Sequence, residues 1–385
     1  MNKHKVIFCT DGIFPLAVGG MQRHSRLLIE GLAKRGNTEI IVIHPHKGQR
    51  VFEAFPQIEE MGLDPLPGKQ YYLLELYHYS RKVFEWVSKY PDHLIYAQGL
   101  SVWYRANELG PRLIVNPHGL EPYQTLSLKD RIKTFPFRWA FSRLFNQALT
   151  VISLGGRLTE IIQRQIRRAG GSVIVIPNAT QLPEEPEEEL VRKSFPQPIR
   201  CLFVGRFASN KGIDVLIEAI SQLNKQGLQD AFQFTLGGKG PLYDHFRQRY
   251  AFENITFLGF VDDIQLAHLY RTEHVFILPT LFEGMPTVVL EAMACGMSIM
   301  VTDVGATKEL VDEKNGFILE KESPQSIVSA LKRFQTLSDE EKTTLSLNSI
   351  RRMQTRFTWE NVVIQHEALF EQISTKQVNG EIINP

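Results

Sequence analysis

Short apolar runs recur along the chain, each closed by a glycine or polar loop and followed by a stretch of helical periodicity. In the first half the runs are Val6-Ile7-Phe8, Glu39–Ile43, Leu94-Ile95-Tyr96, Leu113-Ile114-Val115, Leu149–Ile152 and Val173–Ile176. Helical patterns over about Met21–Arg35, Tyr71–Tyr90 and Arg157–Arg168 lie between them, and Gly36 stops the first. Strands that are apolar on both faces and alternate with helices predict a parallel sheet covered on both sides. An acidic, proline-punctuated stretch, Pro183–Glu189, then interrupts the pattern, and a domain boundary is placed just before it. The rhythm restarts with strands at Ile199–Val204, Phe232–Leu236, Ile255–Phe257, Val275–Leu278 and Ile299–Val301. Helices are expected at Ile213–Gln226, Leu242–Tyr250, Ile264–Arg271, Thr287–Cys295 and Pro324–Thr336, with a final one at Trp359–Ile373. The expected fold is α/β: two doubly wound, Rossmann-like domains, residues 1–180 and 181–358, facing a central cleft.

Composition narrows the function. The chain has 385 residues, long enough for two domains, and 43 Lys+Arg against 42 Asp+Glu give a net charge of +1. That balance argues against a nucleic-acid partner. The cysteines Cys9, Cys201 and Cys295 lie far apart, with no zinc-like spacing, and suit a reducing compartment. The apolar run Val6–Cys9 is too short for a signal peptide, and no 18-residue apolar stretch exists. A cytoplasmic protein is therefore expected.

Four segments carry candidate chemistry. In Leu281–Gly296 a strand ends, Glu283 and Gly284 sit in a loop, and Pro286 stands where a first helical residue is favoured. The amides of Met285, Thr287 and Val288 would then be donors at a helix N-terminus, which suits a phosphate. Glu283 before the helix and Glu291 within it could each take a pair of hydroxyls from a polyol. The alternative is an ordinary strand–loop–helix with two surface glutamates. In Phe203–Asp214, Arg206 and Lys211 follow a strand end, where two cations could neutralise a leaving diphosphate. In Ala17–His24, Gly19 and Gly20 permit close backbone approach; the G-x-G-x-x-G dinucleotide fingerprint is absent, and His24 reads as structural. In Asn116–Glu121, His118 directly follows a strand, a placement open to a structural or a functional reading. Gly237–Pro241 reads as a plain turn.

Taken in order, these segments resemble the retaining glycosyltransferases of family 4, which have the GT-B fold. The resemblance runs through Gly19–His24, His118-Gly119, Ile176-Pro177-Asn178, Gly205-Arg206 with Lys211-Gly212, Phe257–Val261, and Glu283 with Glu291. It implies transfer of a hexose-type sugar from a nucleotide-diphosphate donor, UDP-sugar foremost, to a glycan or lipid-linked saccharide at the cell surface. Arg206 and Lys211 would bind the diphosphate, Glu291 the ribose and Glu283 the donor sugar. Gly284, Met285, Pro286, Thr287 and Val288 would supply backbone contacts, and the backbone near Phe260 would read the base. Gly20 would approach the diphosphate, and His118 would contact the sugar and assist the transition state. No metal or other cofactor is implied, the leaving phosphate taking the acceptor's proton in a front-face reaction. Thr280, Ser298 and Ala306 depart from the common pattern, the last where a second glycine is frequent. The resemblance also implies that the helix at about 359–375 packs back on the first domain. A sugar-nucleotide epimerase, a phosphorylase and a non-catalytic partner protein share the fold and stand as alternatives.

One further stretch, about 129–148, interleaves Lys129, Arg131, Lys133, Arg138 and Arg143 with Phe135, Phe137, Trp139 and Phe141. Its apolar stripe, Phe137, Phe141, Leu144, Phe145 and Ala148, could lie on an anionic membrane at the inner face of the cytoplasmic membrane, or pack on the sheet.

Overall fold

The computed structural model describes residues 3–66, 72–125, 127–167 and 171–378. It divides into two compact units: Met1–Ala179 with Trp359–Pro385, and Thr180–Thr358.

The first unit holds a seven-stranded sheet of β1 (His4–Cys9), β2 (Thr38–His44), β3 (Glu59–Gly62), β4 (Leu94–Gln98), β5 (Leu113–Asn116), β6 (Thr150–Ser153) and β7 (Ser172–Val175). The spatial order is β3-β2-β1-β4-β5-β6-β7 and every pairing is parallel. Central strands are buried on both faces: Val6, Ile7, Phe8 and Cys9 are sealed, as are all five residues of β4. The sheet order reverses between β1 and β4, so a crevice opens at their carboxyl ends, where doubly wound sheets bind ligands.

The second unit repeats the plan with β8 (Ile199–Val204), β9 (Phe232–Gly237), β10 (Ile255–Gly259), β11 (Val275–Leu278), β12 (Ser298–Thr302) and β13 (Gly316–Leu319). Its order is β10-β9-β8-β11-β12-β13, again all parallel, with the reversal between β8 and β11. This is the expected pair of Rossmann-like sheets. Two strands lie outside the apolar runs: β3, with the sequence EEMG, and β13. The helix Asp339–Arg356 also lies outside the expected elements, because its inner stripe, Lys342, Leu345, Ser346, Ser349, Ile350 and Met353, is half polar.

The terminal helix, Trp359–Val378, belongs to the first unit. Val362, Val363, Leu369, Phe370 and Ile373 enter the core beside Phe8, Leu28 and Tyr96, each such burial stabilising by about 1.5–3 kcal/mol. Gly31 gives Val363 room, since a Cβ there would come within 2.6 Å of its Cγ2. Glu367 accepts from Arg35 Nε at 2.7 Å and Asn37 Nδ2 at 3.2 Å.

The basic, aromatic stretch is two helices rather than one, Leu128–Lys133 and Phe135–Phe145, with Pro136 in the first turn of the second. Its expected stripe turns inward: Phe141, Leu144, Phe145 and Ala148 are buried and Phe137 is half-buried. A different set is exposed, Leu128, Ile132, Phe135 and Trp139. Among the described residues no helix is long and apolar enough to cross a membrane. Cys9, Cys201 and Cys295 are buried and unpaired.

Candidate functional site

In the second unit two of the expected residues, Lys211 and Glu283, meet at the β8/β11 reversal, and Arg206 lies in the same loop after β8. Beyond β8, Phe207 is sealed among Phe203, Tyr243 and Phe257, its N–H donating to the Lys239 carbonyl at 3.1 Å. That anchor leaves the preceding Arg206 in solvent, and among the described residues its side chain has no hydrogen-bond or ionic partner. A single 3₁₀ turn, Ser209–Lys211, then places Lys211 against Glu283, and the two form an ion pair. Thr280 joins them, its hydroxyl 2.9 Å from the Asn210 carbonyl and 3.3 Å from Glu283 Oε1. Leu281 N–H also donates to the Asn210 carbonyl, at 2.8 Å. Gly212 makes this approach possible: its φ of +67° is left-handed, and a Cβ would run into the Pro279 carbonyl.

Glu283 and Gly284 are held from the other side as well. Gly305, at φ +54°, lies so close to the carbonyls of Glu283 and Gly284 that no side chain fits, and Ala306 N–H donates to the Gly284 carbonyl at 2.9 Å. Met285 is buried. Pro286 is the N-cap of the helix Thr287–Ala294, not its first residue as expected, because its ψ of 118° is still extended. No side chain caps this helix, and among the described residues the Thr287 and Val288 amides have no backbone acceptor. They form an electropositive end beside Lys211 and Glu283. Five positions into the helix, half-buried Glu291 accepts from the Tyr270 hydroxyl at 2.9 Å. Burial, and then the Glu291 charge, push the Tyr270 hydroxyl pKa well up, so it stays a donor. Half-buried Arg192 ties down the Tyr270 and Cys295 carbonyls. Phe260 stands apart, exposed just beyond the end of the edge strand β10.

In the first unit, Gly20 opens the helix Gly20–Arg35 after a Gly19 N-cap, again without a side-chain cap. A Cβ on Gly20 would touch nothing, so no neighbour in its own unit requires glycine there. His118 follows β5 with φ +57°, a left-handed conformation costing about 1–2 kcal/mol in a residue with a side chain. Its ring bonds Gln98, the last residue of β4, so the Nε2 proton faces Gln98 Oε1 and Nδ1 is the acceptor. The edge of His24 packs on that ring at 4.9 Å and also meets Trp359 at 5.2 Å. Burial, followed by the neighbouring His366, depresses the His118 pKa to about 3. Among the described residues no three of His, Cys, Asp and Glu are grouped as metal ligands would be.

Sequence reasoning missed Tyr270, Gly305, Gln98 and His366. Only Gly305 carried a local signal, as one of the glycines after an apolar strand.

Comparisons with known proteins bear on both units. Residues 198–336 match the family model of group 1 glycosyl transferases, and residues 18–182 that of glycosyltransferase family 4. A subunit of the human phosphatidylinositol N-acetylglucosaminyltransferase is 24% identical over 400 residues, covering 97% of this chain and 77% of that protein. An uncharacterised glycosyltransferase of Methanocaldococcus jannaschii is 31% identical over 178 residues, 45% of this chain and 48% of that one. Among solved structures, a sucrose-phosphate synthase of Thermosynechococcus elongatus superposes with a TM-score of 0.75 at 21% identity, covering 97% of this chain and all of that one. HepE of Anabaena, crystallised with UDP and glucose, superposes with a TM-score of 0.65 at 19% identity, covering 96% of this chain and 99% of its own.

Proposed function

Because the chain belongs to the glycosyltransferases of group 1 and family 4, we propose that it moves a hexose-type sugar from a nucleotide-diphosphate donor, UDP-sugar foremost, to a glycan or lipid-linked saccharide. The reading rests on one observation: Lys211 and Glu283 pair at the β8/β11 reversal beside an uncapped helix N-terminus, with Arg206 exposed in the same loop after β8. The UDP and glucose bound to HepE support the donor class. The human relative, named for phosphatidylinositol, supports a lipid-borne acceptor.

Each group has a role in this reaction. The anomeric carbon's bond to the β-phosphate breaks while the acceptor oxygen attacks from the same face, and the acceptor's proton passes to the leaving phosphate oxygen. Negative charge grows on the diphosphate, and Arg206, Lys211 and the Thr287 and Val288 amides neutralise it without a metal. Glu283 and the Gly284–Pro286 backbone receive the sugar hydroxyls, and Glu291 receives the ribose. Gly20 leaves the backbone clear for a phosphate, the backbone at Phe260 meets the base, and His118 contacts the sugar.

The test is nucleotide release from a panel of sugar nucleotides, with and without EDTA, comparing wild type with Lys211→Ala and Glu283→Ala. Slow hydrolysis of one donor, insensitive to EDTA and lost in both variants, is the expected result. Unchanged release in both variants overturns the site.

Two smaller expectations arise here. Tyr270→Phe removes one hydrogen bond to Glu291 and should weaken UDP binding about 2–10-fold by calorimetry. An equal loss with 2′-deoxy-UDP and 3′-deoxy-UDP would count against the ribose role. Exposed Leu128, Ile132, Phe135 and Trp139, flanked by Lys129, Arg131 and Lys133, should dock on anionic lipid. Flotation with phosphatidylglycerol vesicles at low salt should be lost in Ile132→Glu and Trp139→Glu; retention by both variants sinks the idea.

A further inference from the structure

Behind His118 a chain of buried side chains runs to the terminal helix. On that helix His366 Nδ1 is 2.8 Å from the Val362 carbonyl, which can only accept, so Nδ1 carries the proton. Nε2 is then an acceptor, and the Tyr96 hydroxyl at 2.9 Å donates to it. With its proton committed, the Tyr96 oxygen accepts from Asn116 Nδ2 at 3.0 Å. That fixes which way the Asn116 amide points, and its Oδ1 accepts the His118 N–H at 3.0 Å. One helix carbonyl thus sets the direction of every proton in the chain. Tyr96, Asn116, His118 and His366 are all less than a tenth exposed, so water does not compete.

This arrangement answers a need at His118. A residue with a side chain does not hold a left-handed backbone unaided, and the Asn116 side chain, accepting from the amide two residues on, is the local device that closes such a turn. An asparagine does so reliably only if its amide is itself held. Tyr96 holds it, and burial maintains both ends of that contact: the Tyr96 hydroxyl stays protonated and His366 stays neutral, its pKa lowered to about 4.

We propose that His366 is a positioning residue for His118. It orients Tyr96 and Asn116 and thereby fixes the turn that presents the His118 ring. The inference rests on the reading that His118 contacts the donor sugar. It adds that a residue supplied after the sugar-nucleotide unit in sequence completes the active geometry of the first unit.

Four variants test this: His366→Phe, His366→Gln, Tyr96→Phe and the double variant His366→Phe with Tyr96→Phe. In each, melting temperature and UDP affinity are measured before turnover. His366→Phe should lower kcat about 10–100-fold with donor KM within about twofold, the cost of misplacing one reacting group. Gln places an amide oxygen where Nε2 stood and should restore kcat to within about threefold. The double variant should be no slower than the slower single one, because both break the same chain. A second readout needs no turnover: nitrogen-15 spectra of the histidine rings should show His118 protonated on Nε2 in the wild type and a mixture of tautomers in His366→Phe. Wild-type kcat together with an unchanged His118 spectrum in His366→Phe overturns the proposal, as does a Gln variant no better than Phe. Full turnover in His118→Ala would instead remove the role of His118, and the ring spectrum would still decide whether His366 positions it.

Discussion

Replacing Lys211 by alanine is expected to lower donor turnover about 10²–10³-fold, the usual cost of removing one group that stabilises charge in a transition state. The change acts twice. It removes a cation from the place where diphosphate charge grows, and it leaves the Glu283 carboxylate facing that charge without its lysine, the Thr280 hydroxyl still 3.3 Å away. In the absence of donor, Lys211 and Glu283 neutralise each other at side-chain exposures of 24% and 13%. A bound diphosphate would draw Lys211 away and free Glu283 for the sugar. The double variant Lys211→Ala with Glu283→Ala should therefore lose less than the product of the single losses, since each residue disables the other. Lys211→Arg should recover little, because a planar fork does not reproduce a compact ammonium in a one-turn loop. An ion pair this near the surface contributes about 1 kcal/mol or less to stability, so the melting temperature should move by only about 3 °C. Steady-state kinetics of nucleotide release decide the matter. Turnover within threefold of wild type would remove Lys211 from the mechanism.

The parts of this site that were legible in the sequence share a physical cause. Strands of a parallel sheet are buried on both faces, so they read as apolar runs, and the loops at their carboxyl ends stand out by contrast. Arg206, Lys211, Glu283 and His118 are visible for that reason, each just past such a run. What escaped is of three kinds. Edge strand β3 is polar because Glu60 turns back to accept the Val51 and Phe52 amides at 2.7 and 3.1 Å. The helix Asp339–Arg356 hides its apolar stripe behind serines and Lys342, although Ser338 and Glu341 form a capping box that a search for helix starts could have found. The third kind is distant partnership. Lys211 meets Glu283 across 72 positions and Tyr96 meets His366 across 270, and nothing in local periodicity encodes either pairing. The aromatic stretch near 135 shows the same limit in reverse. Spacing identified an amphipathic helix, but which face is wet depends on the sheet beneath it, and Pro136 divides the helix in two.

Mild acid should unfold the first unit, with only about 1 kcal/mol lost between pH 7.5 and 6.5 and a steeper loss below. His24, His118 and His366 pack together in its core, and burial depresses the pKa of each. His118 and His366 lower His24 further, and His366 lowers His118, whereas the Val362 carbonyl opposes the shift of His366. The folded pKa values are about 3 for His118 and about 4 for His366, against 6.5 in an unfolded chain. Well above 6.5 neither state takes up these protons and stability does not depend on them. Below 6.5 the unfolded chain gains these three protons that the fold refuses, each worth about 1.4 kcal/mol per pH unit until the pH falls through the folded pKa values. His44, His46 and His93 of the same unit, whose pKa values burial also lowers, add to the loss. The loss from the cluster of three reaches about 4 kcal/mol by pH 5.5 and, near pH 4.5, rivals the roughly 5–15 kcal/mol that holds a domain together. The probe is built in: Trp86, Trp103, Trp139 and Trp359 all belong to the first unit, so tryptophan fluorescence follows it alone. Urea midpoints at pH 7.5, 6.5, 5.5 and 5.0 should fall slightly over the first interval and about three times as steeply over the second. His24→Phe removes one of the cluster's three protons and should shallow the fall by about 1.4 kcal/mol at pH 5.5. A midpoint that stays flat to pH 5.0, or histidine ring signals that titrate near 6.5, would show that these rings accept protons inside the fold, and the neutral hydrogen-bond chain behind His118 would fail with that result.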